Sequence, residues 1–598
     1  MKRDMSIANG ETLRSSYPPS VAWDMDIEQI SLTDMFSRAV KKYANHPCID
    51  FYGRELSFRD MEQLVDRAAA GFQSMGVTKG TRVGLYMPNT PWHPVLFFGA
   101  LKAGAIIVNF NPMAKLPQLQ KQIQDSGTEI LISADMPECQ RNGVKLLKQG
   151  ELKKFVLFHL HDTMPADKSA LSTRHKIGLP VYKVLSKLMC LFNISVYGRI
   201  QTIDKLMNKA GHFTPVPVAP EDTAVLQYTG GTTGLPKAAE LTHANLTANV
   251  QQIEAFFGHK DGRNADDLTL HHGKTSLFGP LPNFHIFGMT TTMLLPIHMG
   301  MKTVMALDPK DIEGNLKNIE RSKADFAAAV PLQVQKALSN KAINRYDHSS
   351  LRGIVTGGAA TPPSLHETVS KHCTSRVFEG YGLSETSPVL TANPPENVKV
   401  GYAGLPLPGV EIRICHIDNP EAVLPRGETG EIQTRGPNLM KGYWQRPEEN
   451  KNVFTKDGWF KTGDVGHLTD EGFLKITDRL KRMINVGGTG KKVWANIIEN
   501  EILRHENIAE CVVVTVHKGT PKEAAKAFIR VKDGKEADDA SVRKHLRAYL
   551  SDLEIPRYIE FVNTPLPVTA ISKPDWKKLE DMEAAKEKQI NKQTLQPK

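Results

Sequence analysis

The stretch that decides the fold reads Tyr-Thr-Gly-Gly-Thr-Thr-Gly-Leu-Pro-Lys at residues 228–237. It lies between an apolar, strand-like run at 224–226 and a helix start at 242–245. Glycines let backbone N–H groups turn toward an anion, threonine hydroxyls donate further hydrogen bonds, and Lys237 adds a mobile positive charge. The ending differs from the common phosphate loop, which closes with Gly-Lys-Ser/Thr. The stretch predicts a polyphosphate site after a strand, with a flexible surface loop as the alternative.

Length and composition are those of an ordinary multidomain globular protein. The chain has 598 residues, of which 40% are hydrophobic and 23% charged, so more than one folding unit is expected. Its six cysteines include no CxxC pair, which argues against a disulfide framework or a zinc site and favours a cytoplasmic location. The sequence shows no signal peptide and no membrane-spanning run. The net charge of +10 fits anionic partners, and nucleic acid ranks low because no such binding module is found.

Strands and helices alternate in the first part of the chain. A strand at 82–87, a helix at 92–102 and a strand at 105–109 predict a βαβ unit in a parallel sheet. The pattern returns near 130, at 303–307 and at 353–356. Because ligands of parallel sheets bind at the carboxyl ends of the strands, the glycine-rich loops that follow these strands are the expected nucleotide contacts.

The pattern of predicted strands and helices changes after residue 401 and again after Lys481. Short strands at 430–434 and 472–476, separated by glycine turns, predict a compact β subdomain. A small α+β unit follows, with predicted helices at 497–504 and 541–550 and strands at 511–516 and 527–531. The predicted organisation is a loose arm at 1–25, a large domain at 26–477, a hinge at 478–482, a small domain at 483–585 and a loose polar tail at 586–598.

The stretch at 228–237 resembles the phosphate loop of the adenylate-forming (AMP-binding) enzymes, which include acyl-CoA synthetases, luciferases and peptide-synthetase adenylation domains. Further segments resemble blocks of this family in the family's order: 357–360 (adenine), 379–386 (nucleotide), 458–464 (ribose), 477–481 (hinge) and 566–573 (lysine loop). The resemblance covers about 30–580 and is strongest to bacterial long-chain fatty-acid–CoA ligases. It implies an α/β fold, with a large N-terminal domain of parallel α/β subdomains and a β subdomain, and a small mobile C-terminal α+β domain.

The resemblance implies the residues that bind ATP and AMP. They are Thr229, Gly230, Gly231, Thr232, Thr233, Gly234, Lys237, Gly358, Ala359, Ala360, Glu379, Gly380, Tyr381, Gly382, Ser384, Asp464, Ile476, Arg479 and Lys573. Asp464 is expected to accept the ribose hydroxyls, although an Asx turn is the alternative. Glu385, with Thr229, is expected to hold Mg²⁺, a cation that prefers oxygen ligands; a surface glutamate at a helix start is the alternative.

Three residues are expected to act in catalysis: Lys573, His285 and Lys237. The segment 281–288 resembles the block beside the family's acyl pocket, which assigns Phe284, His285, Phe287, Gly288 and Met289 to that pocket. These residues are also of the types found in ordinary cores. Ser572 stands where the family usually has glycine before the catalytic lysine.

Lys481 occupies the family's pivot position, so the C-terminal domain is expected to rotate about it. The loop at 486–499 departs from the family, because relatives are usually about three residues shorter and carry Pro and Glu where Ala495 and Ile497 stand. This loop is expected to approach coenzyme A through Gly487, Gly488, Lys491 and Lys492. Because this loop differs from the family pattern, the resemblance supports the thioester step less strongly than it supports adenylation.

The expected function is ATP-dependent conversion of a fatty acid to acyl-AMP and then acyl-CoA, with ATP, Mg²⁺ and coenzyme A as cofactors and co-substrates. Two alternatives stay open: an acyl-AMP ligase that loads a carrier protein, and a non-catalytic relative that binds nucleotide or lipid.

The segment 176–199 carries a possible membrane contact. Apolar residues recur there at helical spacing (Val181, Val184, Leu185, Leu188, Leu191 and Phe192) beside basic ones (Arg174, Lys176, Lys183, Lys187 and Arg199), and Pro180 suits a helix start. A cationic amphipathic helix on the inner face of an anionic membrane and a helix packed on the main domain are equal alternatives.

Overall fold

The structure is a computed structural model and describes residues 7–8, 13, 15–165, 167, 171, 173–191, 199–208, 213–229, 237–258, 268–372, 375–487, 491–569 and 574–594. The described residues form five sheets. Two are large and mostly parallel, one is antiparallel, and two small sheets follow near the C-terminus. This is the mixed α/β architecture that the sequence predicts.

The first large sheet, the eight-stranded sheet, contains the βαβ unit predicted from residues 82–109. Its strands in spatial order are Gly442–Tyr443, Ala238–Thr242, Thr223–Tyr228, Ile106–Asn109, Arg82–Tyr86, Ile130–Ala134, Lys154–Phe158 and Ile200–Thr202. All neighbours are parallel from Thr223–Tyr228 onward, and the first two strands are antiparallel.

The second large sheet, the nine-stranded sheet, has the same kind of parallel centre. Its strands in spatial order are Leu405–Pro406, Val389–Ala392, Arg376–Gly382, Gly353–Thr356, Phe326–Ala329, Ser276–Gly279, Lys302–Met305, Pro47–Phe51 and Arg54–Ser57. The central neighbours are parallel, and antiparallel strands close both edges.

Helices connect and cover these sheets. The helices before residue 380 are Leu32–Tyr43, Phe58–Ser74, Trp92–Lys102, Leu116–Ser126, Pro137–Lys148, Thr173–Leu191, Ile203–Asn208, His243–Phe257, Ile286–Gly288, the π-helix Met289–Leu294, Leu295–Met299, Ile312–Ser322, Pro331–Ser339 and Pro363–His372, with 3₁₀ turns at Leu160–Thr163 and Lys341–Arg345. The 3₁₀ turns Ser384–Thr386 and Leu480–Arg482 and the helix Pro447–Val453 follow.

One buried apolar cluster joins both large sheets to the helices beside them. The helix Trp92–Lys102 is apolar on all sides, and it is buried on nearly all of them. Phe98 stacks on Phe36 at a centroid distance of 4.7 Å, and a Cβ on Gly99 would lie 2.6 Å from the Cβ of Ala68. Both large sheets therefore share one closely packed apolar core.

The antiparallel sheet forms the predicted β subdomain. Its strands are Ile7–Ala8, Glu411–His416, Gly430–Arg435, Phe460–Leu468 and Leu474–Arg479, with Asn419–Val423 paired to Glu411–His416. The expectation of a loose N-terminal arm is wrong where the arm is described. Ile7 pairs with Arg413, and Leu13 is fully buried. A two-residue strand is too short to show a period in the sequence, which is why the pattern missed it.

The C-terminal unit contains a hairpin, Met483–Val486 with Lys491–Trp494, and a sheet of Ile508–Val516, Ala524–Val531 and Tyr558–Phe561. Its helices are Ala495–Leu503, Asp539–Leu546 and Trp576–Thr594. The last helix continues to Thr594, so the expectation of a loose tail from 586 is wrong in that part. Lys586 pairs with Glu583, and the backbone N–H of His517 donates to Glu587. This part of the helix is stabilised by polar contacts, so its sequence lacks the periodic apolar residues from which a helix is predicted.

The helix Thr173–Leu191 begins seven residues before Pro180, so the expectation that Pro180 marks its start is wrong. Leu179 and His175 are buried, and His175 pairs with Asp311 at 3.2 Å. In contrast to these buried side chains, four apolar residues of the same helix are exposed to solvent. They are Ile177 (66% exposed), Val181 (50%), Val184 (59%) and Leu185 (45%). The side chains of Leu188 and Leu191, and all of Phe192, lie outside the described residues. In the described part of the chain, no helix is long and apolar enough to cross a membrane.

Candidate active site

The glycine-rich stretch connects two antiparallel strands, Thr223–Tyr228 and Ala238–Thr242. The backbone N–H of Thr229 donates to the carbonyl of Lys237 at 2.9 Å and closes the base of the loop. Thr242 then caps the helix His243–Phe257 through a capping box with Asn245. Gly230, Gly231, Thr232, Thr233 and Gly234 lie outside the described residues. The loop is therefore anchored by a strand on each side, and the second of these strands was not predicted.

Lys237 forms an ion pair with Glu449, which lies in the first turn of the helix Pro447–Val453. Its ammonium group is also 5.5 Å from the ring centroid of Tyr443. Tyr443 belongs to the strand that pairs with Ala238–Thr242, so its ring lies beside the phosphate-loop lysine because of strand register. The lysine is held at the mouth of the loop by one anion and one aromatic face.

Glu385 is buried, at 8% exposure, in a 3₁₀ turn that directly follows a strand of the nine-stranded sheet. The hydroxyl of Tyr443 donates to its Oε1 at 2.6 Å, and burial together with this carboxylate raises the pKa of Tyr443. The backbone N–H of Met440 donates to the carbonyl of Glu385 at 2.8 Å. Tyr443 therefore contacts both Lys237 and Glu385, the predicted phosphate and metal residues.

Asp464 and Arg479 are direct neighbours in the antiparallel sheet, and Nε of Arg479 lies 2.8 Å from Oδ1 of Asp464. The hydroxyl of Tyr381 donates to Oδ2 of the same carboxylate at 2.7 Å. Burial and the Asp464 charge both raise the pKa of Tyr381, and the Asp464 charge raises that of Arg479. This cluster joins the end of the nine-stranded sheet to the antiparallel sheet, and its Arg479 lies within the predicted hinge at 478–482.

Small residues surround the space beside Tyr381. Gly358 has a φ of 77°, which favours glycine. Gly358, Ala359 and Ala360 are exposed, which leaves this backbone open to a ligand. A Cβ on Gly357 would lie 3.1 Å from the carbonyl oxygen of Gly380, so the two loops approach closely.

Gly382 and Ser384 continue this wall. A Cβ on Gly382 would lie 1.8 Å from the carbonyl oxygen of Pro388, so only glycine fits there. Ser384 is half-buried in the turn that carries Glu385, and Ile476 is half-buried on the strand that ends at Arg479. The predicted adenine and ribose residues thus line neighbouring loops.

Glu379 is the buried acid of this region, with 8% exposure. Its Oε1 accepts the backbone N–H of Thr361 at 3.1 Å. Burial raises the pKa of Glu379 from its ordinary 4.5 to about 8, and the hydrogen bond from Thr361 only partly opposes this. The carboxyl group is therefore mainly neutral at pH 7 and braces the loop that follows Ala360.

The predicted acyl block lies against the eight-stranded sheet. Nε2 of Gln227 donates to the carbonyl of Phe284 at 3.0 Å, and Asn109 donates to Oε1 of Gln227 at 3.2 Å. His285 is half-buried and accepts the backbone N–H of Phe287 at Nδ1, 3.3 Å away.

Neighbouring contacts bring this block to the nucleotide loops. A Cβ on Gly288 would lie 2.3 Å from the carbonyl oxygen of Pro282, while Met289 is fully buried. The ring of Phe287 would lie 3.3 Å from a Cβ on Gly357. Phe287 is therefore adjacent to the predicted adenine loop.

Polar contacts join the hinge and the C-terminal unit to the rest of the chain. Oδ2 of Asp478 accepts the backbone N–H of Asn496 at 2.7 Å, and the Asn496 amide donates to the carbonyl of Thr477 at 2.9 Å. Much of the Lys481 residue is exposed to solvent. Its partial burial and the charges of Lys237 and Arg479 all lower its pKa. The hinge lysine therefore lies within range of the phosphate-loop lysine and of Arg479.

The residues predicted for coenzyme A are only partly described. Lys492 pairs with Asp418 of the antiparallel sheet, 3.0 Å from each oxygen. The backbone N–H of Gly487 donates to the carbonyl of Glu523 at 2.9 Å. Gly488, the Lys491 side chain and the predicted catalytic Lys573 lie outside the described residues.

Four residues of this site were missed by sequence reasoning: Tyr443, Glu449, Asn109 and Gln227. Tyr443 and Glu449 hold the predicted metal and phosphate residues, and Asn109 and Gln227 hold the acyl block. Asn109 and Gln227 are polar residues inside buried strands, which is a usable sequence signal for a site. Tyr443 and Glu449 gave no such signal, because their role depends on strand pairing.

The neutral state of Glu379 has a consequence for stability. Between about pH 4.5 and pH 8 the unfolded chain has this group ionised while the folded protein keeps its proton, so stability falls as pH rises. Glu379→Gln removes this loss, and the unfolding free energy of the variant relative to wild type should rise up to about pH 8 and then level off. Urea unfolding at intervals between about pH 5 and pH 9 measures it. A difference that is constant with pH would contradict a buried neutral Glu379.

Two family models match most of the chain. The model of the AMP-binding enzyme family matches residues 36–444, and that of the AMP-binding enzyme C-terminal domain matches residues 497–573. A long-chain-fatty-acid–CoA ligase of Salmonella typhimurium is 33% identical over 93% of this chain and 95% of its own. The ligase of the same name from Bacillus subtilis is 31% identical over 94% of this chain and 96% of its own.

Solved structures share the fold. The anthranilate CoA ligase AuaEII in complex with anthranoyl-AMP superposes with a TM-score of 0.77 at 22% identity, over 94% of this chain and 99% of that one. ATP-bound MatB from Rhodopseudomonas palustris gives a TM-score of 0.73 at 23% identity, over 92% and 99%. The family model covers well over half of the sequence, and the chain belongs to the AMP-binding enzyme family.

Proposed function

We propose that this protein is an ATP-dependent ligase that converts a long-chain fatty acid to acyl-AMP and pyrophosphate, and then to acyl-CoA and AMP. Family membership and the full-length similarity to long-chain-fatty-acid–CoA ligases support it. The observation that carries it is the convergence of Lys237, Glu385, Tyr381, Asp464 and Arg479, which come from distant parts of the chain.

The arrangement suits a nucleotide that reacts at its α-phosphate. Asp464 accepts a hydrogen bond from Tyr381 and forms an ion pair with Arg479, which orients its carboxylate, and each oxygen keeps a lone pair for a ribose hydroxyl. Lys237 and the glycine-rich loop take the β- and γ-phosphates. Lys237 and Arg479 are positively charged, and they reduce the repulsion between the fatty acid carboxylate and the α-phosphate in the transition state.

Glu385 fits a magnesium ion that arrives with ATP. Mg²⁺ is commonly bound by one or two carboxylates together with substrate phosphates, and Glu385 offers a buried carboxylate oriented by Tyr443. Thr229, at the start of the loop, supplies a further oxygen. Bound Mg²⁺ would neutralise charge on the phosphates.

The fatty acid is expected to enter beside Phe284, Phe287 and Met289, with its carboxyl group near His285. The buried amides of Asn109 and Gln227 hold this block in place, so the acid would meet a fixed wall. Phe287 borders Gly357, which places the acyl block next to the adenine loop.

The second step requires the C-terminal unit to turn about residues 478–482. In the present orientation Asn496 is bonded to Asp478 and Thr477, and Lys492 to Asp418. These contacts are polar, so rotation can exchange them for hydrogen bonds with water. Rotation would free Lys492 for a coenzyme A phosphate, and Gly487, Gly488 and Lys491 are the other residues proposed to contact coenzyme A.

Lys573→Ala should nearly abolish acyl-AMP formation and spare thioester formation from supplied acyl-AMP. The lysine supplies one cation to the charge that develops during adenylation, and loss of such a contact slows a reaction by about 10²–10³-fold. Single-turnover assays of each half-reaction measure the two rates separately, with Lys577→Ala as a nearby control. Equal damage to both half-reactions would contradict the role of Lys573.

Thioester formation with free coenzyme A in the same assay separates this proposal from an acyl-AMP ligase that loads a carrier protein. Wild-type protein that makes acyl-AMP but no acyl-CoA would favour the carrier-loading alternative.

We further propose a peripheral contact with an anionic membrane through the exposed apolar stripe, defined as Ile177, Val181, Val184 and Leu185. These four residues lie on one face of the helix Thr173–Leu191 and are all about half exposed or more. Lys176 beside them is exposed, and Arg199 flanks the segment. A helix of this type can lie in the headgroup layer, which would bring the enzyme to water-insoluble acids.

Vesicle flotation tests the membrane contact. Wild-type protein should float with vesicles of phosphatidylglycerol and phosphatidylcholine at low salt, and the Val181→Ser/Val184→Ser variant should float much less because apolar area is lost. Val400→Ser is the matched control, since Val400 is 46% exposed elsewhere on the surface. Equal flotation of all three proteins, or none by the wild type, would contradict the contact.

A further inference from the structure

The nucleotide mechanism above gives no role to Glu449, a partner of the proposed catalytic residue Lys237. It forms an ion pair with Lys237, at the place where that mechanism needs a triphosphate. Glu449 is 41% exposed and Lys237 29% exposed, so the carboxylate can turn away into solvent while the lysine stays in the site.

The position of Glu449 over the lysine is set by the fold. The strand Gly442–Tyr443 pairs with Ala238–Thr242, and the backbone N–H of Trp444 donates to the carbonyl of Ala238 at 2.9 Å. Asn450 then ties the start of the helix to that strand, because its amide group exchanges two hydrogen bonds with the backbone of Tyr443, at 2.7 and 3.1 Å. The segment that carries Glu449 is thus fastened beside the segment that carries Lys237.

The charges around the pair explain why a carboxylate is favourable there without nucleotide. Partial burial lowers the pKa of Lys481, the charges of Lys237 and Arg479 lower it further, and the charge of Glu449 opposes these effects. Lys237 of the phosphate loop, Arg479 at the end of its strand and Lys481 of the hinge are therefore close enough to repel one another. Glu449 reduces this repulsion.

We infer that Glu449 is an internal counter-ion for Lys237, which the β- and γ-phosphates of ATP displace and which returns when pyrophosphate leaves. The inference rests on the proposed function and adds a regulatory residue to that site. Two anions cannot both face one lysine at low cost, so the carboxylate competes with phosphate. It weakens the binding of both ATP and pyrophosphate slightly, which favours the departure of pyrophosphate before the hinge turns.

The test is calorimetric titration of the full-length protein with MgATP, magnesium pyrophosphate and AMP. Glu449→Gln should bind ATP and pyrophosphate about two- to fivefold more tightly, which is the range expected for an exposed ion pair, and the gain should shrink at high salt. AMP lacks the displaced phosphates, so its Kd should not change. Glu448→Gln is the matched control: this residue lies in the same first turn but pairs with Lys451, and its variant should bind like the wild type.

A double variant shows whether the effect passes through the lysine. In a Lys237→Met background, Glu449→Gln should give no gain in affinity. Unchanged or weaker ATP binding by Glu449→Gln, or the same gain without Lys237, would overturn the counter-ion role while leaving the proposed function intact. Absence of ATP binding by the wild type itself would instead overturn the proposed function, and the inference with it.

Discussion

The buried carboxylate of Asp464 is the interaction on which the site depends. It lies in strand register opposite Arg479 and accepts the hydroxyl of Tyr381, so one group joins the antiparallel sheet to the end of the nine-stranded sheet. A buried anion of this kind is stable only when its oxygens are paired. Because the strand that ends at Arg479 runs into the predicted hinge at 478–482, the same contact fixes the backbone from which the C-terminal unit starts.

A second layer of contacts is built around Tyr443, which lies on an edge strand of the eight-stranded sheet. Its hydroxyl donates to Glu385, its ring faces Lys237, and its backbone fastens the helix that carries Glu449. Site residues on each mostly parallel sheet are thus held by side chains of the other sheet or of the β subdomain. Small shifts of one sheet against the other would disturb both clusters, and the shared apolar cluster resists such shifts.

The sequence predicts much of this fold, because long periodic segments are read well. The strand, helix and strand between residues 82 and 109, the strand Gly353–Thr356 and the helix after Thr242 all form where expected. Predictions fail for the arm at Ile7–Ala8, the helix through Lys586 and the start of the helix that contains Pro180. The site residues follow from motif resemblance, whereas Tyr443 and Glu449 do not, since strand pairing brings them to the site across about two hundred residues of sequence.

The central claim is that these loops activate a long-chain carboxylic acid as its adenylate. The measurement that tests it most directly is ATP–pyrophosphate exchange by the purified protein with acids of increasing length, from acetate to stearate. The account predicts exchange that depends on added acid and is fastest with long chains, because the acyl block is apolar and its wall is rigid. No exchange with any acid, or exchange with short acids alone, would contradict it.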